Sequence, residues 1–191
     1  MNKIDYDRLM QKQAEENRGA KLLLHCCCAP CSTACLEKLK DFFKITVFFY
    51  NPNIEDGEYL KRKSELLRFI KETGWADVLD CDCDAAEFYS AVKGLENEKE
   101  GGARCAKCFE LRLEKTFEAA QKNGFDFFST TLTLSPLKNA ALINETGRRI
   151  GGEKWLFSDF KKRNGYLRSL ELSEKHSVYR QNYCGCVFSK R

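Results

Sequence analysis

KLLLHCCCAPCS, residues 21–32, is the stretch on which the reading of this chain turns. A run of three leucines ends abruptly in four cysteines around an Ala-Pro step, the pattern of a buried strand that runs into a loop. Ser32 or Thr33 then caps a helix reaching to about Phe42. Outward from this unit the alternation repeats. Ile45–Tyr50 (ITVFFY) is a β-branched and aromatic strand broken at Asn51-Pro52-Asn53. The spacing of Tyr59, Leu60, Leu66, Leu67, Phe69 and Ile70 predicts a helix over 57–73 with Gly74 as its C-cap. A third, shorter strand at 76–79 precedes DCDCD (80–84). Helices follow at 85–94 and 106–122, separated by the Glu- and Gly-rich LENEKEGGARC. A fourth strand over 125–134 is stopped by Ser135-Pro136, a helix at 138–150 by Gly151-Gly152, and a fifth strand is expected at 154–157 before a basic helical tail.

Strands alternating with helices predict an α/β fold: a parallel sheet of about five strands with helices on both faces. With no repeat, no low-complexity stretch and no Pro/Gly-rich linker, residues 1–191 read as a single domain. Residues 1–19 form a helical or flexible extension, and 158–191 a basic helical segment. Sites in such sheets lie at the carboxyl ends of the strands. The unusual residues gather there: HCCCAPC after the first strand, NPN after the second, DCDCD after the third and LSP after the fourth.

The chain holds 11 cysteines beside only 2 histidines, and seven of the thiols fall into three compact groups. These are Cys27-Cys28-x-x-Cys31, Cys105-x-x-Cys108 and Cys184-Gly185-Cys186. A CxxC pair opening a helix brings both sulfurs to one side, where the helix N-terminus favours thiolates. Gly185 permits a turn that lets both flanking sulfurs face one site. At 22.0 kDa the chain can bury its own core without disulfide staples, and an odd thiol count sits badly with full pairing. The polar N-terminus lacks the apolar core of a signal peptide, and no window is long and apolar enough for a membrane span, so a reducing cytoplasmic compartment is expected. Metal ligation is the expected use of these thiols. Seven exceed the four that one zinc or one iron–sulfur cluster takes, and adjacent Cys27 and Cys28 on an extended segment point apart. One cluster beside a second, partly open metal is therefore expected, the cluster moving electrons and the open metal polarising a substrate oxygen. The basic tail would close over that site. Cys26 and Cys35 read as small apolar core residues, and Cys81 and Cys83, alternating with Asp80, Asp82 and Asp84, as a solvated strand end. His25 reads as a core residue or one that orients a neighbouring group. No glycine follows the first strand and no GxGxxG occurs, so phosphate-loop and dinucleotide chemistry are excluded and electrons must come from an external carrier.

The segments LLLHCCCAPCS (22–32), FFYNPNIEDGEYLKRK (48–63), RCAKCFELRLEKT (104–116), FDFFSTTLTLSPLKN (125–139) and YRQNYCGCVFS (179–189) resemble, in order, those of the QueH family. Its members are cobalamin-independent epoxyqueuosine reductases. The resemblance implies a Rossmann-like fold related to the HUP, or nucleotide α-hydrolase-like, group. It implies removal of the epoxide oxygen of epoxyqueuosine at the wobble base of GUN-anticodon tRNA, the last step of queuosine synthesis. It also implies a [4Fe–4S] cluster beside a mononuclear metal, iron, and a carrier such as a ferredoxin or flavodoxin. On this reading Cys27, Cys28, Cys31, Cys105, Cys108, Cys184 and Cys186 are metal ligands. Cys27, Cys28 and Cys31 form the catalytic group, and Cys105 and Cys108 belong to the cluster.

The substrate side is read from where residues fall beside the strand ends, with plain turn chemistry around Pro52 left open for the asparagines. Asn51 and Asn53 would bond a base edge or ribose, and Thr130, Thr131 and Ser135 offer hydroxyls. Tyr179 and Arg180 would stack on a flipped nucleotide or hold phosphate. Residues 138–191 hold 12 basic against 5 acidic residues, and Lys161, Lys162, Arg163 and Arg168 are the expected contacts to the tRNA backbone. Two other classes fit parts of the pattern: a zinc-stabilised RNA-binding module without redox chemistry, and a thiol–disulfide oxidoreductase.

Overall fold

The computed structural model describes residues 4–81 and 83–189. Four strands, β1 (Lys21–His25), β2 (Lys44–Phe48), β3 (Asp77–Leu79) and β4 (Phe127–Thr130), form one parallel sheet in the order β3-β2-β1-β4. Seven helices complete the described fold: α1 (Tyr6–Glu16), α2 (Ala29–Leu39), α3 (Asp56–Thr73), α4 (Ala85–Ala91), α5 (Ala103–Lys122), α6 (Ala140–Gly151) and α7 (Gly165–Lys175).

The leucines of β1 alternate between two cores, as the two-residue period of a strand requires. Leu22 and Leu24 pack with Met10 of α1, Leu36 of α2, Phe69 of α3 and Leu172 of α7. Leu23 packs on the opposite face with Leu113 of α5, Ile143 of α6 and Trp155. Helices thus cover both faces, which is why the middle of β1, Leu22–Leu24, is apolar on both sides. The chain winds outward from β1 through β2 to β3, then returns past β1 to lay down β4 on the other side. The direction of winding reverses between β1 and β4, so the crevice at their carboxyl ends is the place where such a sheet holds its ligand.

Three local expectations are corrected. The fifth strand is reduced to one parallel bridge, Phe128↔Trp155, because a 3-10 turn at Gly152–Lys154 uses up its first residues. Side chains serve the backbone that follows: Gln13 Nε2 donates to the Trp155 carbonyl, the Phe157 N–H donates to Gln13 Oε1, and Ser129 Oγ donates to the Leu156 carbonyl. β4 ends at Thr130, whose hydroxyl accepts from the Leu132 N–H and starts a 3-10 helix at Thr131–Leu134. α2 begins at Ala29, with Cys28 as its N-cap and Pro30 in its first turn. Ser32 and Thr33 do not cap it; their hydroxyls donate back to the Cys28 and Pro30 carbonyls.

Candidate metal centre

The early start of α2 gathers the first thiol group. Cys28 lies at the extended N-cap and Cys31 in the first turn, and the sulfurs of Cys27, Cys28 and Cys31 all lie within 4.8 Å of one another. The spacing of Cys27 and Cys28 therefore does not drive them apart: their sulfurs are 3.7 Å apart, because the chain turns from strand to helix between them. Thr131, in the 3-10 turn after β4, faces this group. Its Oγ1 accepts from the Cys27 N–H at 3.4 Å and lies 3.8 Å from the Cys27 sulfur.

Cys27 is the thiol that ionises first. The S–H groups of Cys28 and Cys31 donate to it and hold it well below the ordinary thiol value, against the cost of burial and with help from Lys138 and Arg112. The same contact with Cys27 pushes Cys28 up to about 12, and the contacts with Cys27 and Cys28 push Cys31 well above its ordinary value. One thiolate and two thiols fill a space small enough for a single ion, which would displace the remaining protons on binding.

The other four thiols line one cleft: Cys105, Cys108, Cys184 and Cys186. Cys105 and Cys108 sit on the first two turns of α5, and Cys186 reaches the cleft through an isolated bridge to Ile54, after the Asn51-Pro52-Asn53 loop. Burial pushes Cys108 up to about 11, with Arg112 pulling the other way. Lys138 and Arg112 line the same cleft and act electrostatically on Cys27 as well. The two thiol groups thus share two cations. Burial opposes the charge of each, but Cys184, Cys27 and Cys31 hold Lys138 above its ordinary value, and Cys108, Cys27 and Cys184 do the same for Arg112.

Arg112 was not singled out by the sequence, although it stands one helical turn beyond Cys108 on the same face of α5. It is buried: Nη2 donates to Asn51 Oδ1 at 2.5 Å, Nη1 lies 3.9 Å from the Cys108 sulfur, and Nε lies 3.2 Å from His25 Nε2. His25 is buried between the Thr130 hydroxyl at 2.8 Å and the Tyr50 carbonyl at 3.0 Å. Burial and Arg112 lower its pKa to about 3, so the ring is neutral. Its two nitrogens are spent on the protein.

The expected substrate residues separate. Asn51 is buried, with Oδ1 on Arg112 and Nδ2 donating to the Cys26 carbonyl at 2.9 Å; its amide clamps the site from within. Asn53 is buried too, yet neither of its carboxamide atoms has a hydrogen-bond partner among the described residues. Thr130 and Thr131 are buried against His25 and Cys27, whereas Ser135 is half-buried. Tyr179 packs on α3, its ring 3.5 Å from the Lys61 ammonium, and Arg180 donates to the Ser173 hydroxyl at 3.0 Å. Of the four cations expected to meet tRNA, Lys161 pairs with Asp159, Arg163 with Asp7, and Arg168 with Glu37 and Glu171. Lys162 is exposed and makes no ion pair among the described residues. Cys26 and Cys35 are fully buried in the first core. Cys81 and Cys83 are half-buried against the second core, not solvated, and Cys81 donates to the Phe49 carbonyl; Asp82 lies outside the described residues.

Fold and site together define an α/β protein with a polythiol site able to hold metal, set at the carboxyl edge of a parallel sheet. Residues 22–191 match the family model described as epoxyqueuosine reductase QueH. The chain is 45% identical over 202 residues to the epoxyqueuosine reductase QueH of Streptococcus pyogenes, covering 99% of this chain and 79% of that one. It is 43% identical to that of Staphylococcus epidermidis (98% and 85% covered) and 38% identical to that of Thermotoga maritima (88% and 89% covered). The chain belongs to the epoxyqueuosine reductase QueH family and is an oxidoreductase. No helix of the described residues is long and apolar enough to cross a membrane.

Proposed function

We propose that this chain reduces epoxyqueuosine to queuosine at the wobble position of GUN-anticodon tRNA in the cytoplasm, drawing electrons from a carrier such as a ferredoxin or flavodoxin. The observation that carries the reading is the partition of seven thiols into a set of three and a set of four, with Arg112 and Lys138 lining the cleft of the four and acting on Cys27 of the three. Donor chemistry fits both expected groups: four thiols on one cleft suit a [4Fe–4S] cluster, and the compact trio of Cys27, Cys28 and Cys31 suits a single iron. When bound, these groups supply single electrons and a Lewis acid.

The chain's own residues do the rest. Epoxide deoxygenation breaks two C–O bonds, takes up two electrons and two protons, and leaves an alkene and water. Negative charge develops on the departing oxygen, and Lys138, protonated and lining the cleft, is a cation able to meet that charge. Arg112 supplies a fixed positive charge whose orientation Asn51 sets. The neutral His25 ring and the Thr131 hydroxyl hold the Cys27 loop in place. Asn53, with both amide atoms buried and without a partner among the described residues, is assigned to the ribose or cyclopentane hydroxyls, and the half-buried Ser135 offers a hydroxyl at the edge. Lys162 is the free cation for the tRNA backbone, and the tail from 158 onward, which carries Cys184 and Cys186, closes one side of the cleft.

The test is anaerobic reconstitution followed by reduction of epoxyqueuosine-containing tRNA and nucleoside mass analysis. Expected are roughly five iron and four acid-labile sulfide per chain and conversion of the epoxide to the alkene. A colourless protein holding one zinc, or full activity after metal removal with a reversible disulfide, would refute it.

A further inference from the structure

Cys184 and Cys186 lie on an irregular segment, and contacts with α3 hold that segment in place. The contacts climb the helix one turn at a time while the C-terminal chain runs the other way. His176 meets Glu72 at 2.7 Å, Arg68 donates to the His176 carbonyl at 2.9 Å, and the Tyr179 N–H donates to Glu65 at 2.9 Å. The last rung is Arg62. It is only 2% exposed, its Nε donates to Glu58 at 2.6 Å, and its two terminal nitrogens fork onto consecutive carbonyls, Tyr183 at 3.2 Å and Cys184 at 3.0 Å. Its guanidinium also lies 5.1 Å from the Tyr183 ring centroid.

The next residue explains the glycine of CGC. Gly185 has φ +97°, a left-handed conformation, and a Cβ there would meet Arg62 Nη1 at 2.8 Å and Ile54 Cγ1 at 2.9 Å. The turn between the two cysteines is thus wedged between the Arg62 fork and Ile54, and Cys186 bridges to Ile54 immediately beyond it. Neither the fork nor the wedge touches the cleft's ligand space: Arg62 does not line the cleft, whereas Cys184 and Cys186 do.

We propose that Arg62 is the positioning residue of the four-thiol set, its fork on the Tyr183 and Cys184 carbonyls holding Cys184 and Cys186 in the cleft beside Cys105 and Cys108. The identity of what the four thiols bind rests on the function proposed above; the placement itself does not, and the two can fail separately. Arg suits this task and Lys does not, because only a planar fork reaches two successive carbonyls at once.

The experiment measures alkylation of each cysteine by N-ethylmaleimide in the metal-free full chain, mapped by peptide mass, with iron and sulfide uptake after anaerobic reconstitution as a second readout. Arg62→Met keeps the buried stem and removes the fork. It is expected to raise the rates at Cys184 and Cys186 roughly tenfold while Cys105 stays near its wild-type rate and Cys26 and Cys35 stay protected. Iron uptake should fall below half of wild type. Arg62→Lys should behave nearly as Arg62→Met, and Gly185→Ala, whose Cβ pushes the Arg62 fork and Ile54 off the turn with the arginine retained, should give the same selective pattern. Wild-type rates at Cys184 and Cys186 in Arg62→Met overturn the proposal. If Cys26 and Cys35 react in that variant, its core has opened and Gly185→Ala decides, unchanged rates there overturning it. Selective alkylation in both variants, with a wild-type chain that takes up no iron, supports the placement by Arg62 and refutes the iron–sulfur reading.

Discussion

Asn51→Leu tests whether the amide after β2 clamps the site or reads the substrate. In the folded chain Oδ1 accepts from Arg112 Nη2 at 2.5 Å and Nδ2 donates to the Cys26 carbonyl at 2.9 Å, with the residue fully buried. Leucine is close in volume, so the loss is chiefly polar. A buried guanidinium N–H deprived of its acceptor costs about 1.5–3 kcal/mol, and an orphaned carbonyl about 1 kcal/mol more. The expected loss is therefore roughly 3 kcal/mol, a large share of the ~5–15 kcal/mol that holds a typical domain together. With a urea slope of about 2 kcal/mol/M, the unfolding midpoint of the metal-free protein should fall by roughly 1.5 M. Reductase activity should fall as well, because Arg112 loses the contact that aims it beside Cys108. The assay is urea unfolding followed by circular dichroism, run beside conversion of epoxyqueuosine-containing tRNA under saturating substrate. A midpoint within about 0.3 M of wild type, equivalent to well under 1 kcal/mol, combined with lost activity would refute the clamp and return Asn51 to the substrate.

Four further outcomes are expected. Cys108→Ser should lose iron and turnover together on anaerobic reconstitution, measured by metal analysis and tRNA conversion; normal turnover would remove it from the ligand set. Gly147→Ala places a Cβ 2.3 Å from the Trp155 ring, whose Nε1 donates to Asn144, and overpacking of about 1–3 kcal/mol should lower Tm by roughly 3–10 °C in a thermal melt. Lys162→Gln should weaken tRNA binding and reduce the salt slope of log K by about 0.9, whereas Arg168→Gln, already committed to Glu37 and Glu171, should change it much less; filter binding across salt concentrations separates them. The Arg168 guanidinium holds the Glu37 carboxyl below its ordinary value, so this pair's contribution is present above the usual carboxylate range and is lost as pH falls through the lowered pKa. Arg168→Gln should therefore cost under about 1 kcal/mol at neutral pH and progressively less in acid, by urea titration at each pH.

The strands and helices were legible because their signals are local. Leu22–Leu24 and Ile45–Phe48 are apolar runs bounded by breakers, and the Cys-x-x-Cys and Cys-Gly-Cys spacings stand out against any background. Where the reading slipped, a tertiary partner had replaced a backbone one. Trp155–Phe157 has strand composition, yet Gln13, more than 140 residues away, bonds its backbone where a longer ladder would. Strand geometry predicts that Cys27 and Cys28 diverge, but Pro30 starts the helix early and turns both sulfurs to one side. Asn51 looks the same in sequence whether it faces a substrate or an arginine. The choice depends on Arg112, which α5 brings in from 61 positions along the chain.

Arg112 and Arg62 were missed for a common reason: each acts through a partner that no short motif contains. Their surroundings differ in a way that orders the assembly of the site. Cys27, Cys28 and Cys31 ride on the central strand and its helix, between leucines of β1 and Leu36 and Leu39 of α2 that are essentially inaccessible. Cys105 and Cys108 belong to a 20-residue helix whose Leu113 is fixed in the second core. Cys184 and Cys186 have no such anchorage of their own; a ladder of polar contacts along α3, one isolated bridge and a small cluster with Phe88 and Val92 hold them. Segments held by few apolar contacts open first. Five of the seven thiols are therefore set by the core, and the last two close the cleft when the C-terminal chain seats on Arg62. A four-thiol set built in two halves of unequal stability is expected to open through the weaker half, so under the function proposed above metal would enter the cleft past the C-terminal segment and not past the sheet edge.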